Sequence, residues 1–226
     1  YINGSSSSVL IGALTTHRAI ETSPLINQRF PILVEMEQQL ASLPIRNWGT
    51  IGGNVCHADP ASDPPLCLIA LGAKVKLRSI RGEREVPMGK FFVDYFESVL
   101  EPDEIMVEVE IPNMPPNTGA VFIKETETAG GMVIVATGAM ITLDSDTVTD
   151  IRIVLGGVGS TPFRAKKTEK ALLGKRLSAF EEAAAVAAGE VNPVTDVHGS
   201  VEYRRHLVNI ITKMALGQAA KRAQRL

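Results

Sequence analysis

Three apolar, β-branched runs at residues 119–124, 132–143 and 147–155 follow one another with only short polar breaks between them. No helix-length segment separates them, so they fold back on each other as an antiparallel meander. Asp144-Ser145-Asp146 supplies the turn that joins the last two into a hairpin. Helical segments come next: residues 164–173 closed by Gly174, 179–190, and a final one from about 201 to 225. The second half therefore reads as a three-stranded antiparallel sheet followed by helices.

The first half mixes both periods. Gly4 and the serines after it read as a turn, and residues 9–13 as a strand whose partner lies mostly ahead of the chain. A short helix over residues 15–21, with a Thr at its head, ends before Pro24. Residues 31–43 place Ile32, Leu33, Met36 and Leu40 near helical spacing and stop at Pro44. Ser62 or Asp63, followed by Pro64-Pro65, opens a helix that Gly72 closes. Residues 75–78 and 83–86 flank Gly82 as a hairpin. Residues 104–111 alternate Ile105, Val107, Val109 and Ile111 with Glu104, Met106, Glu108 and Glu110, the pattern of a half-buried strand. Pro115-Pro116 marks the best linker, dividing an α+β chain into residues 1–116 and 117–226.

Composition narrows the function classes. Hydrophobic residues make up 45% and charged residues 21%, as in globular domains. Lys plus Arg number 23 against 25 Asp plus Glu, so there is no basic excess for nucleic acid or an anionic membrane. No apolar run approaches the roughly 20 residues of a membrane span. Two cysteines cannot make a disulfide framework, which fits a reducing, cytoplasmic setting.

Residues 45–63 (IRNWGTIGGNVCHADPASD) concentrate the chemistry. Their glycine and proline content predicts a largely looped segment. Amides around Gly52-Gly53, with Thr50 and Asn54 beside them, form either a nest for phosphate oxygens or a tight structural turn. The segment lacks the GxGxxG order and the Gly-Lys-Ser/Thr of the common phosphate loops. Asp63 either caps the next helix or binds a hydroxyl. Cys56, His57 and Asp59 lack metal-site spacing, and Cys67 falls on an apolar helix face. His17 and His206 stand among charged residues and read as solvated. Trp48 either anchors the loop or lines a ligand site. Tyr203-Arg204-Arg205 reads as structural or subunit-facing.

Arg46 to Asn54 followed by Ala58-Asp59-Pro60-Ala61-Ser62-Asp63 resembles the second flavin-binding motif of the FAD-binding medium subunits of molybdenum hydroxylases, the family of aerobic carbon monoxide and xanthine dehydrogenases. Ile11 to Thr16, Pro102 to Ile105, Glu110 to Pro112, Ile153 to Val158 and Glu202 to Arg205 match other parts of the same family, so the resemblance covers nearly the whole chain. It implies the second subdomain of a PCMH-type FAD-binding domain, then a C-terminal domain like that of the carbon monoxide dehydrogenase flavoprotein. The family's N-terminal subdomain, with its first Gly-Gly flavin loop, has no counterpart in these residues.

By that resemblance, Thr50, Ile51, Gly52, Gly53 and Asn54 lie against the FAD pyrophosphate. Asp63 matches a flavin-contacting aspartate, Lys124 a lysine near the cofactor, and Met106 an apolar contact. The implied function is electron transfer, with no catalytic residue of its own and no metal held in this subunit. A large molybdenum-pterin subunit oxidises substrate, [2Fe-2S] clusters in a small subunit relay electrons, and FAD in this subunit passes them to NAD or another acceptor. The implied assembly is a dimer of heterotrimers. Where the family commonly has Asp-Tyr-Ala, this chain reads Gly131-Met132-Val133. Competing readings are an FAD-free scaffold subunit and a self-contained carbohydrate oxidase with a related flavin fold.

Overall fold

The computed structural model describes residues 1–225. It opens with a hairpin of β1 (Ile2–Gly4) and β2 (Ser8–Gly12), so the partner strand expected ahead of the chain is supplied by its first residues. Six short helices follow: α1 (His17–Glu21), α2 (Pro24–Arg29), α3 (Pro31–Gln39), α4 (Leu43–Trp48), α5 (Ile51–His57) and α6 (Pro64–Ala70). Proline stands in the first turn of α2, α3, α4 and α6. There its missing N–H has no helical acceptor to lose. Thr16, Ser23 and Thr50 cap α1, α2 and α5 through their side chains. Two expectations are corrected. Pro24 begins a helix as well as following one, and much of residues 44–61 is helical, with Gly52-Gly53 inside α5.

Strands β3 (Lys74–Ser79), β4 (Gly82–Pro87), β5 (Phe92–Asp94), β6 (Glu97–Ser98) and β7 (Ile105–Pro112) complete the first half. β1, β2, β7, β3 and β4 form one antiparallel sheet in that order, and β5 pairs with β6 apart from it. Lys76 faces Glu108 while Leu77 faces Met106, so Val107 is left over as a bulge. The extra residue reverses the alternation expected from the sequence: Met106 turns inward at 8% exposure and Ile105 outward at 63%.

Beyond Pro115-Pro116, β8 (Thr118–Thr126), β9 (Val133–Asp144), β10 (Thr147–Gly156) and β11 (Phe163–Arg164) form a four-stranded sheet in the order β11-β10-β9-β8. The fourth strand is two residues long and carries no period that sequence could reveal. Helices α7 (Lys166–Leu172), α8 (Phe180–Glu190) and α9 (Val201–Ala223) follow. α9 packs on β8 and β9, while α3 and α6 cover the opposite face. β9 is consequently buried along almost its whole length. Alternate residues serve different cores. Phe122, Ala136, Met140 and Val154 join the core of the first half, whereas Val121, Val135, Ala139 and Ile153 join that of α8 and α9. A Cβ on Gly138 would lie 2.8 Å from the Leu66 carbonyl oxygen, so this glycine lets α6 rest directly on β9. Arg204 resolves the reading of its tripeptide: buried at 4% exposure, it binds the carbonyls of Ile134 and Gly157 and both Asp196 carboxylate oxygens.

Candidate functional site

The start of α5 is locked onto the turn that follows β2. The Ile51 amide donates to the Thr15 carbonyl at 3.0 Å and the Gly52 amide to the Ala13 carbonyl at 2.9 Å. The Gly53 amide donates to Thr50 Oγ1 at 3.1 Å, and the Asn54 amide to the Thr50 carbonyl at 2.9 Å. All four N–H groups are engaged within the chain, so the glycines form a capped helical turn and leave no open amide nest. A Cβ on Gly52 would sit 2.7 Å from Ala13 Cβ and 2.8 Å from its carbonyl oxygen. Glycine is required there by packing. Gly53 faces outward and is exposed.

One turn further on, α5, the entry to α6, β8 and the segment before β9 enclose a cavity of about 150 Å³. Asn54, His57, Asp63, Lys124, Gly131 and Met132 are in its wall. Asp63 precedes α6 without capping it through its side chain. Its Oδ2 instead accepts from Lys124 Nζ at 2.6 Å, the two side chains being 2% and 5% exposed. Its Oδ1 is buried with no hydrogen-bond partner among the described residues. Burial pushes the Asp63 carboxyl above its ordinary value, against the opposing pull of the Lys124 charge. Asn54 Oδ1 accepts from Ser62 Oγ, which ties α5 to the entry of α6. Met132 stands at the cavity, 55% exposed.

Lys124, 61 residues beyond Asp63, is thus brought together with Asp63 and Asn54. Thr50 and Gly53 lie back along α5 outside this lining, and Ile51, Gly52 and Met106 are buried in the core. Trp48 neither anchors a loop nor lines the cavity: it is 87% exposed. His17 is not solvated. At 2% exposure its Nδ1 lies 3.0 Å from Oε1 of fully buried Glu37, and its amide donates to the Gly49 carbonyl. Glu37 Oε2 has no partner among the described residues, and burial raises this carboxyl, with His17 opposing. Polar neighbours hid His17. Glu37, however, shares the apolar stripe of Leu33, Met36 and Leu40, and that is a legible sign of a buried acid.

A family model described as the FAD binding domain in molybdopterin dehydrogenase matches residues 1–114. A second, described as the CO dehydrogenase flavoprotein C-terminal domain, matches residues 126–219. Subunit alpha of the 6-hydroxypseudooxynicotine dehydrogenase complex of Paenarthrobacter nicotinovorans is 38% identical over 226 residues, covering 99% of this chain and 76% of that one. The glyceraldehyde dehydrogenase medium chain of Sulfolobus acidocaldarius is 32% identical over 222 residues, covering 97% and 79%. Among solved structures, carbon monoxide dehydrogenase from Hydrogenophaga pseudoflava superimposes with a TM-score of 0.95 at 34% identity, over 98% of this chain and 78% of that chain.

Proposed function

The chain belongs to the FAD-binding subunits of the molybdopterin dehydrogenase family, and from that premise we propose that it holds FAD at the cavity of Asn54, Asp63 and Lys124. The observation that carries this reading is Asp63 Oδ1, a buried carboxylate oxygen in the wall of a cavity with no donor among the described residues. Such an atom is costly unless a donor reaches it. A flavin offers one ring N–H and several ribityl hydroxyls, so the donor set fits. Lys124 sustains the ionised acceptor, Asn54 adds an amide, and Gly130 and Gly131 contribute no side chain to their part of the wall. At about 150 Å³ the cavity is smaller than the roughly 300–1,000 Å³ of an enclosing ligand site, so it takes part of the dinucleotide. Thr50 and exposed Gly53 are the neighbouring surface for the remainder, supported from beneath by Ile51, Gly52 and Met106.

Bound FAD supplies a carrier that accepts and releases electrons singly or in pairs. The chain's own residues bind and orient it: α5 and α6 fix Asn54 and Asp63, and β8 brings Lys124 to the carboxylate. In this reading the partners are a large molybdenum-pterin subunit, which oxidises the substrate, and a small [2Fe-2S] subunit. They assemble as a dimer of heterotrimers in the cytoplasm, and NAD or another acceptor removes the electrons. No helix among the described residues is long and apolar enough to cross a membrane. The engaged amides of α5 favour one alternative, a scaffold subunit without FAD. Flavin absorbance of the purified complex decides between them: about one FAD per chain supports the proposal, and a colourless, fully assembled complex supports the scaffold.

A further inference from the structure

A second cavity, about 500 Å³, opens at the far end of α6 from Asp63 and shares no lining residue with the first. The seven residues of α6 put the two about 10 Å apart along the helix. Lys90, Arg152, Arg164 and Lys166 enter its lining from three separate segments, the last two from one stretch, against a single carboxylate, Asp150. This positive surplus stands in a chain whose net charge is -2.

The cations retain unused donors. Arg152 is 3.6 Å from Asp150 and 3.4 Å from the Ala70 carbonyl, both longer than the usual range of about 2.7–3.2 Å. Arg164 commits Nε to Glu169 at 2.8 and 3.1 Å, and its terminal nitrogens make no hydrogen bond among the described residues. Neither Lys90 nor Lys166 enters an ion pair among the described residues. The guanidinium fork matches phosphate oxygens geometrically. The remaining wall is stiff and apolar, since Pro87, Pro112 and Pro162 converge on it from different loops and strands. A concave space of this volume with an apolar wall and a few convergent charges suits a small ligand better than a flat protein surface does.

We propose that this cavity binds an organic di- or polyphosphate of nucleotide size, its phosphates on Lys90, Arg152, Arg164 and Lys166 and its body against the prolines. The test is calorimetric titration of ADP and of inorganic pyrophosphate into the full chain and its Lys90→Glu/Lys166→Glu variant. Both lysines are exposed, so the variant should keep the wild-type Tm. If it does not, Lys90→Gln/Lys166→Gln carries the same expectation. Saturable ADP binding is expected, weakened at least tenfold in the variant, with pyrophosphate weaker than ADP because it lacks a body for the prolines. Absence of saturable binding to wild type overturns the proposal. So does an ADP isotherm that the variant leaves unchanged, which would put the nucleotide elsewhere, the FAD cavity included. Loss of partner-subunit binding in the variant without any ADP binding to wild type would replace the small ligand with an acidic protein surface.

Discussion

Lys124 Nζ meets Asp63 Oδ2 at 2.6 Å with both side chains nearly excluded from solvent, while Asp63 Oδ1 has no partner among the described residues. The pair fastens β8 to the start of α6, so it couples the two halves of the chain at the cavity. Removing one member of a buried pair strands the other charge, at a cost of about 3–5 kcal/mol. Lys124→Met and Asp63→Asn should each lose roughly that much in urea denaturation. The double variant should recover most of the loss, because neither charge is then buried alone. Additive losses in the double variant would mean that the two groups do not act as a pair.

The two glycines of α5 should respond differently. Gly52→Ala drives a methyl group into Ala13 and should cost about 1–3 kcal/mol by overpacking. At Gly53 the new Cβ meets only Thr50 Oγ1, at 3.0 Å, on an exposed face. That crowding opposes a helix-propensity gain of up to about 1 kcal/mol, so Gly53→Ala should change stability by less than about 1 kcal/mol. Urea midpoints of both variants check the order. Equal losses would mean that Gly52 is not packed as described.

Much of this was legible in sequence, and the failures have identifiable causes. The meander and the C-terminal helices follow from unbroken periodic runs, and Asp63 and Lys124 followed from a family resemblance. Composition could not show that these two form a closed pair, because 61 residues separate them. The alternation at residues 104–111 misled because a bulge at Val107 is a property of the pairing with β3, not of β7 alone. Glycines in residues 45–63 suggested a loop, yet Thr50 is a good cap and each amide it helps to satisfy favours the helical turn. The two-residue β11 is too short to leave any pattern.

Glu37 gives the protein a pH dependence of definite sign. Its carboxyl is raised by burial above the ordinary value of 4.5, so the native state holds that proton more tightly than the unfolded chain. Its contribution is therefore most favourable below about 4.5 and declines as pH rises from there through the raised native value. Glu37→Gln removes this decline. The stability of wild type relative to the variant, measured by urea denaturation between pH 4 and 7, should fall as pH rises. A difference that is flat with pH would show that Glu37 ionises in the native state as freely as in the unfolded chain.

Glu104 behaves oppositely. Arg84 grips it through two bonds of 2.6 Å and, with the Glu101 amide, holds its carboxyl at about 2. The stability it contributes is present above its ordinary value of 4.5 and is lost as pH falls toward 2. In Arg84→Ala its carbon-13 carboxyl titration should move back up toward 4.5. An unmoved titration would assign the shift to the Glu101 amide instead.

If the Asp63–Lys124 cavity holds the flavin, the paired variant Asp63→Asn/Lys124→Met should lose it while still folding, where the single variants falter. The measurement is FAD per chain in the purified complex, from flavin absorbance after acid release. About one FAD per chain is expected in wild type, and less than a tenth of that in a folded, assembled double variant. Full flavin occupancy in that variant would contradict it.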